Sequence, residues 1–544
     1  MTTIESLVAD VAIIGAGLCG LALARALCAQ DVSVVVIEAR ERVGGRVLTQ
    51  RCEATGQMLD LGPAWFWPDV EPRIAALLDE LDLPSAPQYH PGDVLWLTDP
   101  NREPERREEP LGLHAGARRV AGGTARLVDA LAAALPAGCV RTGSAVRLLR
   151  DCGASLELQI ESSDGTRALR ARRAIFALPP RLVQERVRFD PPLPAMLADS
   201  LAATPTWMAA QAKALTTYAQ PFWRDAGHSG NAFVSHAQAM LGEVFDASDE
   251  TTGAGALGGF VALDAAQRLR FQRGMPLLIE SQLVQLYGAR AQESLGRYLL
   301  DWADEPWTCS SADREGPPVL WQADPALRRA YWGGRLYFGG SETAAHGVGH
   351  MEGALEAAAR VERALAPPAL PSAVFGNGTH VPDTADGALA CFAVAVSAHR
   401  ARAPSYYRQN VTRLLAAQQS QQLTQHALLA TVELVYSATL ALLDGLIPAL
   451  GAAHAGPSVA GRHALTPTLL APFEGWNREL LSAALAFNNT SCALSNFPAE
   501  HQPDAALQRA IALDLVAAWR EFALEVNARL VHACPDVDPA AVPA

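Results

Sequence analysis

Apolar residues near the N-terminus form a short β-branched run and then recur with helical spacing. The stretch "LVADVAIIGAGLCGLALARALCAQDVSVVVIE" therefore predicts a strand, a turn, an apolar helix and a second strand. The turn carries Gly15, Gly17 and Gly20 in a G-x-G-x-x-G pattern, and Glu38 ends the second strand. The glycines permit a tight turn, close approach of a pyrophosphate and close helix packing, while the carboxylate can accept both ribose hydroxyls. The pattern predicts dinucleotide binding.

The pattern changes near residue 370. A Pro- and Gly-rich linker is predicted at residues 371–385, and amphipathic helices follow in residues 386–544, which predicts an appended all-α domain without a family resemblance. Its most apolar segment, "HALLATVELVYSATLALLDGLIPALGA", contains Glu433, Asp444 and Pro448, and its uncharged stretches are shorter than the ~20 residues of a membrane span. We expect no membrane insertion, and instead homo-oligomerisation, docking of a protein partner, or a lid.

Composition narrows the function classes. A net charge of −13 over 544 residues excludes nucleic acid as a partner, because phosphate binding needs a basic surface. The nine cysteines, an odd number without a C-x-x-C pair, are typical of reduced thiols, and no signal peptide is recognisable, so we expect a cytoplasmic protein. Lys213 is the single lysine among 44 basic residues. An ordinary surface lysine would have drifted to arginine like the others, so this exception predicts a functional lysine.

Five further segments resemble the flavin-containing amine oxidase superfamily, in its monoamine oxidase-like branch. They are "RERVGGRV", "DLGPAWFWP", "AGGTARLVDALAAAL", "RARRAIFALPPRLV" and "RLYFGGSETAAHGVGHMEGALEAAARVERAL", and the resemblance covers about residues 8–365. It implies an α/β FAD-binding domain of the Rossmann-like, glutathione-reductase type over residues 1–70, 118–190 and 320–370. It also implies a mixed α+β substrate-binding domain over residues 71–117 and 191–319.

The resemblance implies FAD as the cofactor, with Arg46 neutralising its pyrophosphate. Cys309 lacks the sequence context of a covalent flavin attachment, so we expect FAD to be non-covalent. Pro63 stands where the family has a second glycine. The residues implied in FAD binding are Gly15, Gly17, Gly20, Glu38, Ala39, Arg40, Gly45, Arg46, Leu61, Gly62, Pro63, Ala64, Val146, Gly340, Ser341, Glu342 and Met351.

The single lysine occupies a position that the resemblance makes catalytic. In monoamine oxidases a lysine nine residues before a Phe-Trp pair holds a water against flavin N5, and Lys213 precedes Phe222 and Trp223 by that spacing. Arginine would not serve, because an ammonium is a compact donor whose pKa falls readily on burial. The implied reaction is hydride transfer from a primary amine to flavin N5, hydrolysis of the imine to an aldehyde or ketone and ammonia, and reduction of O2 to H2O2.

The substrate pocket departs from the monoamine oxidase pattern. Those enzymes present the amine between two tyrosines; here His350 replaces one of them, and Trp307 is the aromatic residue nearest the other's segment. Trp65 is predicted to contribute an aromatic wall to the pocket. His346 and His350 are four residues apart, but no third ligand accompanies them, so we predict no metal site.

Several alternatives stay open on the sequence. A carboxylate-binding arginine, with candidates in "FQRG" and "ARRV", would favour an L-amino-acid oxidase, whereas an acidic tunnel near the flavin would favour a polyamine oxidase. A desaturase acting on a C–C bond is a further alternative, against which Lys213 argues. A non-enzymatic role would make the helical domain primary, with the flavoprotein serving interaction, assembly or redox sensing.

Overall fold

The computed structural model describes residues 3–108, 114–249, 251–315, 324–365, 384–416, 422–451, 462–491, 494 and 497–533. The chain divides into two compact units, Met1–Pro367 and Pro368–Ala544. Most of the predicted linker, residues 371–383, lies outside the described residues.

The strands of the first unit are β1 (Thr3–Ile14), β2 (Val34–Ile37), β3 (Thr49–Arg51), β4 (Met58–Asp60), β5 (Ser85–Pro87), β6 (Asp93–Leu97), β7 (Glu105–Arg107), β8 (Arg118–Val120), β9 (Val140–Arg141), β10 (Ser144–Asp151), β11 (Leu156–Ser162), β12 (Gly165–Phe176), β13 (Arg188–Asp190), β14 (Ala212–Tyr218), β15 (His228–Val234), β16 (Leu241–Asp246), β17 (Gly255–Val261), β18 (Gly296–Asp301) and β19 (Leu336–Phe338). Its α-helices are α1 (Leu18–Cys28), α2 (Pro72–Glu80), α3 (Ala125–Ala133), α4 (Pro180–Arg186), α5 (Ala195–Ala203), α6 (Phe222–Asp225), α7 (Ala265–Phe271), α8 (Met275–Tyr287), α9 (Ser311–Glu315) and α10 (Met351–Leu365).

A mixed sheet forms the centre of the first unit. Its order is β13-β10-β11-β12-β1-β2-β9, with β19 beside β12, and β1 runs parallel to both β2 and β12. Both faces of β1 are buried: Val11 and Ile13 pack with residues of α1 and α10, whereas Ala12 and Ile14 pack in a second core. Burial on both faces requires a nearly continuous apolar strand, which is the pattern of the N-terminal sequence.

A second sheet carries the single lysine. Its order is β18-β14-β17-β16-β15-β6-β7, and Lys213 is the second residue of β14. The neighbours of Lys213, Ala212 and Ala214, pack in one core with Met275 and Ile279 of α8. Because successive strand residues point to opposite faces, Lys213 is directed to the face away from α8.

The named secondary-structure elements of the second unit are all helices. Its helices are α11 (Ala385–Ala416), α12 (Leu423–Gly451), α13 (Thr466–Leu470), α14 (Trp476–Asn488), α15 (Pro498–His501) and α16 (Ala505–Ala533). Aromatic rings of α12, α14 and α16 meet in its core, where Tyr436 stacks on Phe522 at 4.3 Å between centroids. Leu423–Leu450 is the one described segment long and apolar enough to cross a membrane by composition, and 44% of its most apolar window is buried. The predicted fold class, an α/β domain and a mixed-sheet domain with an appended all-α region, is confirmed.

Candidate active site

The glycine-rich turn after β1 brings bare backbone to the start of α1. A Cβ on Gly20 would lie 2.0 Å from the Gly15 carbonyl oxygen, so only glycine allows α1 to pack this closely on the turn. A Cβ on Gly17, in contrast, would meet only the Gly44 oxygen at 4.0 Å. Gly17 precedes the first residue of α1, Leu18, and provides no side-chain cap. The N–H groups of the first helical turn therefore face a space suited to an anionic group such as a phosphate.

Glu38 is fixed at the end of β2. Its buried carboxylate accepts hydrogen bonds from the backbone N–H groups of Ala16, at 2.8 Å, and Arg40, at 2.9 Å. The Arg40 side chain in turn donates to Glu305 at 2.9 Å. Val146 is buried in the same core as the end of β2, and Ala39 is half-buried. These contacts hold a carboxylate at the position where the sequence predicts recognition of a ribose.

Arg46 and Glu342 form a buried ion pair beside this turn. The guanidinium donates to the Glu342 carboxylate at 2.6 and 2.9 Å and to Ser341 Oγ at 3.0 Å, and Glu342 is fully buried. Gly45 has a φ of +59°, and its Cβ would lie 3.4 Å from the Gly17 Cα. The structure thus brings together residues from both ends of the first unit. The open backbone at Gly17 and the cation at Arg46 fit the pyrophosphate of FAD, which the chain would bind here.

Lys213 is enclosed by aromatic rings. Its side chain is 3% exposed, and Nζ donates a hydrogen bond to the Gly62 carbonyl at 2.8 Å. The ring centroids of Trp65, Phe245 and Phe260 lie 5.9, 5.4 and 5.7 Å from Nζ. Burial lowers the pKa of this lysine from its ordinary 10.5 to about 7. Nζ can therefore gain or lose a proton near neutral pH.

Charged groups surround Lys213 without touching it. The nearby Asp60 and Glu243 carboxylates raise the pKa of Lys213, whereas the Arg119 guanidinium lowers it further, and both effects are smaller than that of burial. Arg119 lies 3.9 Å from Asp60, so these two charges largely compensate each other.

Glu243 and His114 form a buried pair next to the lysine. Phe260 pairs with Lys213 on one side and with Glu243 on the other, so all three side chains point to the same face of the sheet. Glu243 Oε1 lies 3.3 Å from His114 Nε2, and burial raises the pKa of the Glu243 carboxyl. His114 stacks on Trp65 at 4.2 Å between centroids. Glu243 Oε2 is buried without a hydrogen-bond partner among the described residues.

The segment from Leu61 to Trp65 joins the two halves of the site. The Leu61 carbonyl accepts a hydrogen bond from Trp302 Nε1 at 3.2 Å, and the Pro63 carbonyl accepts one from Thr124 at 3.2 Å. A Cβ on Gly62 would lie 2.1 Å from the Arg46 oxygen, so this position has room only for glycine. Ala64 is buried, and Trp65 Nε1 donates to Gln88 at 2.7 Å.

The two other residues predicted for the substrate pocket, Trp307 and His350, each pack against a different side chain of the first unit. The Trp307 ring packs under the guanidinium groups of Arg147 and Arg186, at 5.3 and 5.7 Å. His350 lies beside Trp207, at 5.3 Å between ring centroids, immediately before Met351 begins α10.

Gly340 supports the turn that precedes Ser341. It has a φ of +93°, and its Cβ would lie 3.1 Å from the Leu178 oxygen, so this turn needs glycine as well.

Among the described residues, no group of three His, Cys, Asp or Glu side chains is placed to hold a metal ion.

Two family models match parts of the first unit. Residues 105–365 match the family model described as flavin containing amine oxidoreductase, and residues 13–81 match that of an NAD(P)-binding Rossmann-like domain. Putrescine oxidase from Kocuria rosea is 27% identical, over 64% of this chain and 92% of that protein. Human amine oxidase [flavin-containing] B is 25% identical, over 65% of this chain and 86% of that protein.

Solved structures show the same fold. A structure of putrescine oxidase, wild type bound to putrescine, aligns with a TM-score of 0.54 and 24% identity, over 67% of this chain and 99% of that one. Cyclohexylamine oxidase from Brevibacterium oxydans aligns with a TM-score of 0.54 and 21% identity, over 65% of this chain and 98% of that one.

Proposed function

Because the chain belongs to the flavin-containing amine oxidase superfamily, whose members use FAD to oxidise amines, we propose that it deaminates a primary amine to an aldehyde or ketone, ammonia and H2O2. FAD, bound without a covalent link, supplies the acceptor for two electrons, and O2 is the final oxidant. The observation that supports the proposal best is Lys213, a buried lysine with a pKa of about 7 inside an aromatic cage.

Each part of the cage has a distinct task in this proposal. The rings of Trp65, Phe245 and Phe260 exclude water from Nζ and offer an apolar surface to the carbon chain of the substrate. Lys213 Nζ exchanges a proton or orients a water, because its charged and neutral forms are both populated near pH 7. The Gly62 carbonyl fixes the position of Nζ.

A diamine is the second candidate substrate, and Glu243 favours it. This carboxyl is buried on the same face as Lys213, and one of its oxygens lacks a partner among the described residues. A distal ammonium could bind that oxygen, because a charged hydrogen bond would compensate its burial. The relative named putrescine oxidase is consistent with this reading.

An amino acid is a weaker candidate substrate. The arginines suggested for binding its carboxylate are hydrogen-bonded to another residue, close to a carboxylate of the chain, or exposed. Arg118 donates to Ser85, Arg119 lies beside Asp60, and Arg273 is on the surface. A cytoplasmic location and the absence of a nucleic acid partner stay predictions.

The experiment is anaerobic mixing of the FAD-loaded protein with benzylamine, butylamine, 1,4-diaminobutane and L-leucine, following loss of flavin absorbance. We expect bleaching by an amine, and Lys213→Met should lower turnover at least ~100-fold. The exposed Arg273→Met is the matched control and should behave as wild type. Bleaching by none of the compounds, or a Lys213→Met variant as active as the control, contradicts the proposal.

The Glu243→Gln variant distinguishes a diamine from a monoamine as the substrate. If a diamine is the substrate, this change should raise the KM for 1,4-diaminobutane about tenfold or more and leave that for butylamine unchanged. If a monoamine is the substrate, the diamine should be poor with wild type and the variant alike.

A further inference from the structure

Helix α16 has an apolar stripe on the side that faces away from its own core. Ile511, Leu515 and Phe522 are buried in the helical unit. The opposite side exposes four large apolar residues, namely Leu513 at 70%, Val516 at 53%, Leu524 at 64% and Val531 at 37%. Four such side chains on one helix face form a contiguous patch, which in soluble proteins commonly marks an interaction surface.

The stripe alternates large and small residues along one line of the helix. Its members are Leu513, Ala517, Arg520, Leu524, Ala528 and Val531, all exposed and spaced by three or four residues. Arg520 is the one charge in this line, and the exposed Glu521 follows it. The ion pairs within the described residues do not include either of these two side chains.

We propose that α16 pairs with α16 of a second copy of this chain, antiparallel and about a two-fold axis between Arg520 and Glu521. Such an arrangement is isologous, since the same surface is used by both copies. Arg520 then lies opposite Glu521 of the partner subunit, and this ion pair occurs twice. Leu513 lies opposite Ala528 of the partner subunit, and Leu524 lies opposite Ala517 of the partner subunit, so each large side chain meets a small one.

Charge selects this arrangement over the others that the stripe would allow. A parallel pair in register would place Arg520 against Arg520 of the partner subunit inside an apolar contact, where like charges repel. An antiparallel pair shifted by one turn in one direction would place Arg520 against an alanine and leave its charge unpaired. A shift in the other direction would place it against Leu524 or Glu525, and Glu525 already pairs with Arg529 of its own helix. Burying an unpaired charge is costly, so the register that pairs it with a glutamate is favoured.

The first test measures mass by sedimentation of the full-length, FAD-loaded protein over a range of micromolar concentrations. We expect a dimer for wild type, and at least about tenfold weaker dimerisation for Arg520→Glu and for Glu521→Arg, since each replaces attraction by repulsion. The combined swap, Arg520→Glu with Glu521→Arg, should restore the dimer. Arg478→Glu makes the same charge change at an exposed position of α14 and should have no effect.

The restored dimer of the swap also shows that the single variants fold. A monomeric wild type, or single variants that dimerise as wild type does, overturns the proposal. So does a swap that remains as weak as its parents.

A second test fixes the direction of the helices by oxidative cross-linking. Arg520→Cys lies next to the proposed axis and should form a disulfide with its own copy in the partner subunit. Leu513→Cys lies far from the axis and should not. Wild type controls for the native cysteines. Equal cross-linking of both variants would indicate a parallel pair and refute the antiparallel arrangement.

Discussion

The pKa of Lys213 can be measured directly, because no other lysine occurs in the 544 residues. Protein grown with lysine labelled with carbon-13 at Cε should give one lysine resonance, whose chemical shift follows the charge on Nζ. We expect its midpoint at about pH 7 rather than at the ordinary 10.5. This difference corresponds to about 5 kcal/mol by which the interior disfavours the charged form. Loss of water around Nζ is the main cause.

The same shift predicts how stability depends on pH. Between pH 7 and 10.5 the folded protein holds Lys213 neutral, while the unfolded chain still binds the proton. The unfolded state therefore binds more protons in this window, and the free energy of unfolding should rise with pH through it. Lys213→Met removes the titration, so the stability of wild type relative to this variant should increase from pH 7 towards pH 10.5.

The charged neighbours provide an internal check on the cause. Arg119 lowers the pKa of Lys213, so Arg119→Met should move the resonance midpoint upward. Arg297→Met removes a half-exposed cation of β18 and should leave it unchanged. A wild-type midpoint near 10.5 would refute the burial argument, and a midpoint that Arg119→Met leaves in place would refute the contribution of Arg119.

Four further predictions test separate parts of the structure. Gly20→Ala should abolish FAD retention, measured as the ratio of flavin to protein absorbance, because its Cβ would lie 2.0 Å from a backbone oxygen. Arg46→Met should weaken FAD binding at least about tenfold in a titration of the apoprotein, since it removes a cation and leaves a buried carboxylate unpaired. Trp65→Leu should raise the KM for the amine several-fold, whereas Trp307→Leu should leave it unchanged; equal effects would contradict the placement of these two rings. Glu500→Ala should lower the free energy of unfolding by about 1–2 kcal/mol, because this carboxylate caps the first turn of α12. Urea unfolding followed by helical circular dichroism measures this change.

Local spacing was sufficient to predict the glycine-rich turn between β1 and α1. The turn at Gly15 to Gly20 depends on residues that are close in sequence, and Glu38 reaches the Ala16 N–H group within one strand-helix-strand unit of 22 residues. The ion pair between Arg46 and Glu342 joins residues almost 300 positions apart, and only the family resemblance suggested that both lie near the cofactor.

The cage around Lys213 could not be predicted, because it depends on strand pairing. Phe245, Phe260 and Glu243 belong to two other strands of the sheet, and their alignment with Lys213 is set by register. The position of Glu243 between apolar residues of β16 is the one local signal that could have drawn attention to it. His114 lies in a loop of the first unit, where nothing in the sequence indicates stacking on Trp65.

Trp302 and Trp307 are five residues apart but have different surroundings. The family resemblance suggested Trp307 for the substrate pocket, which stays a prediction, whereas Trp302 is the ring that donates a hydrogen bond to the Leu61 carbonyl. Trp302 follows β18 directly, so the end of an ordered strand fixes its direction toward the site. Trp307 comes after a short 3-10 turn and packs against Arg147 of β10 and Arg186 of α4.

Helix α12 shows why mean hydropathy alone is a poor guide to its role. Its first N–H groups, those of Leu423 and Thr424, donate to the buried Glu500 carboxylate. Midway along the helix, Tyr436 donates to Asn477, and near its end Asp444 pairs with Arg529 of α16. A lipid-facing helix could not satisfy a buried carboxylate and an ion pair, whereas a helix packed among others can. The polar contacts at the start, middle and end of α12 therefore support its assignment as a central helix of the bundle.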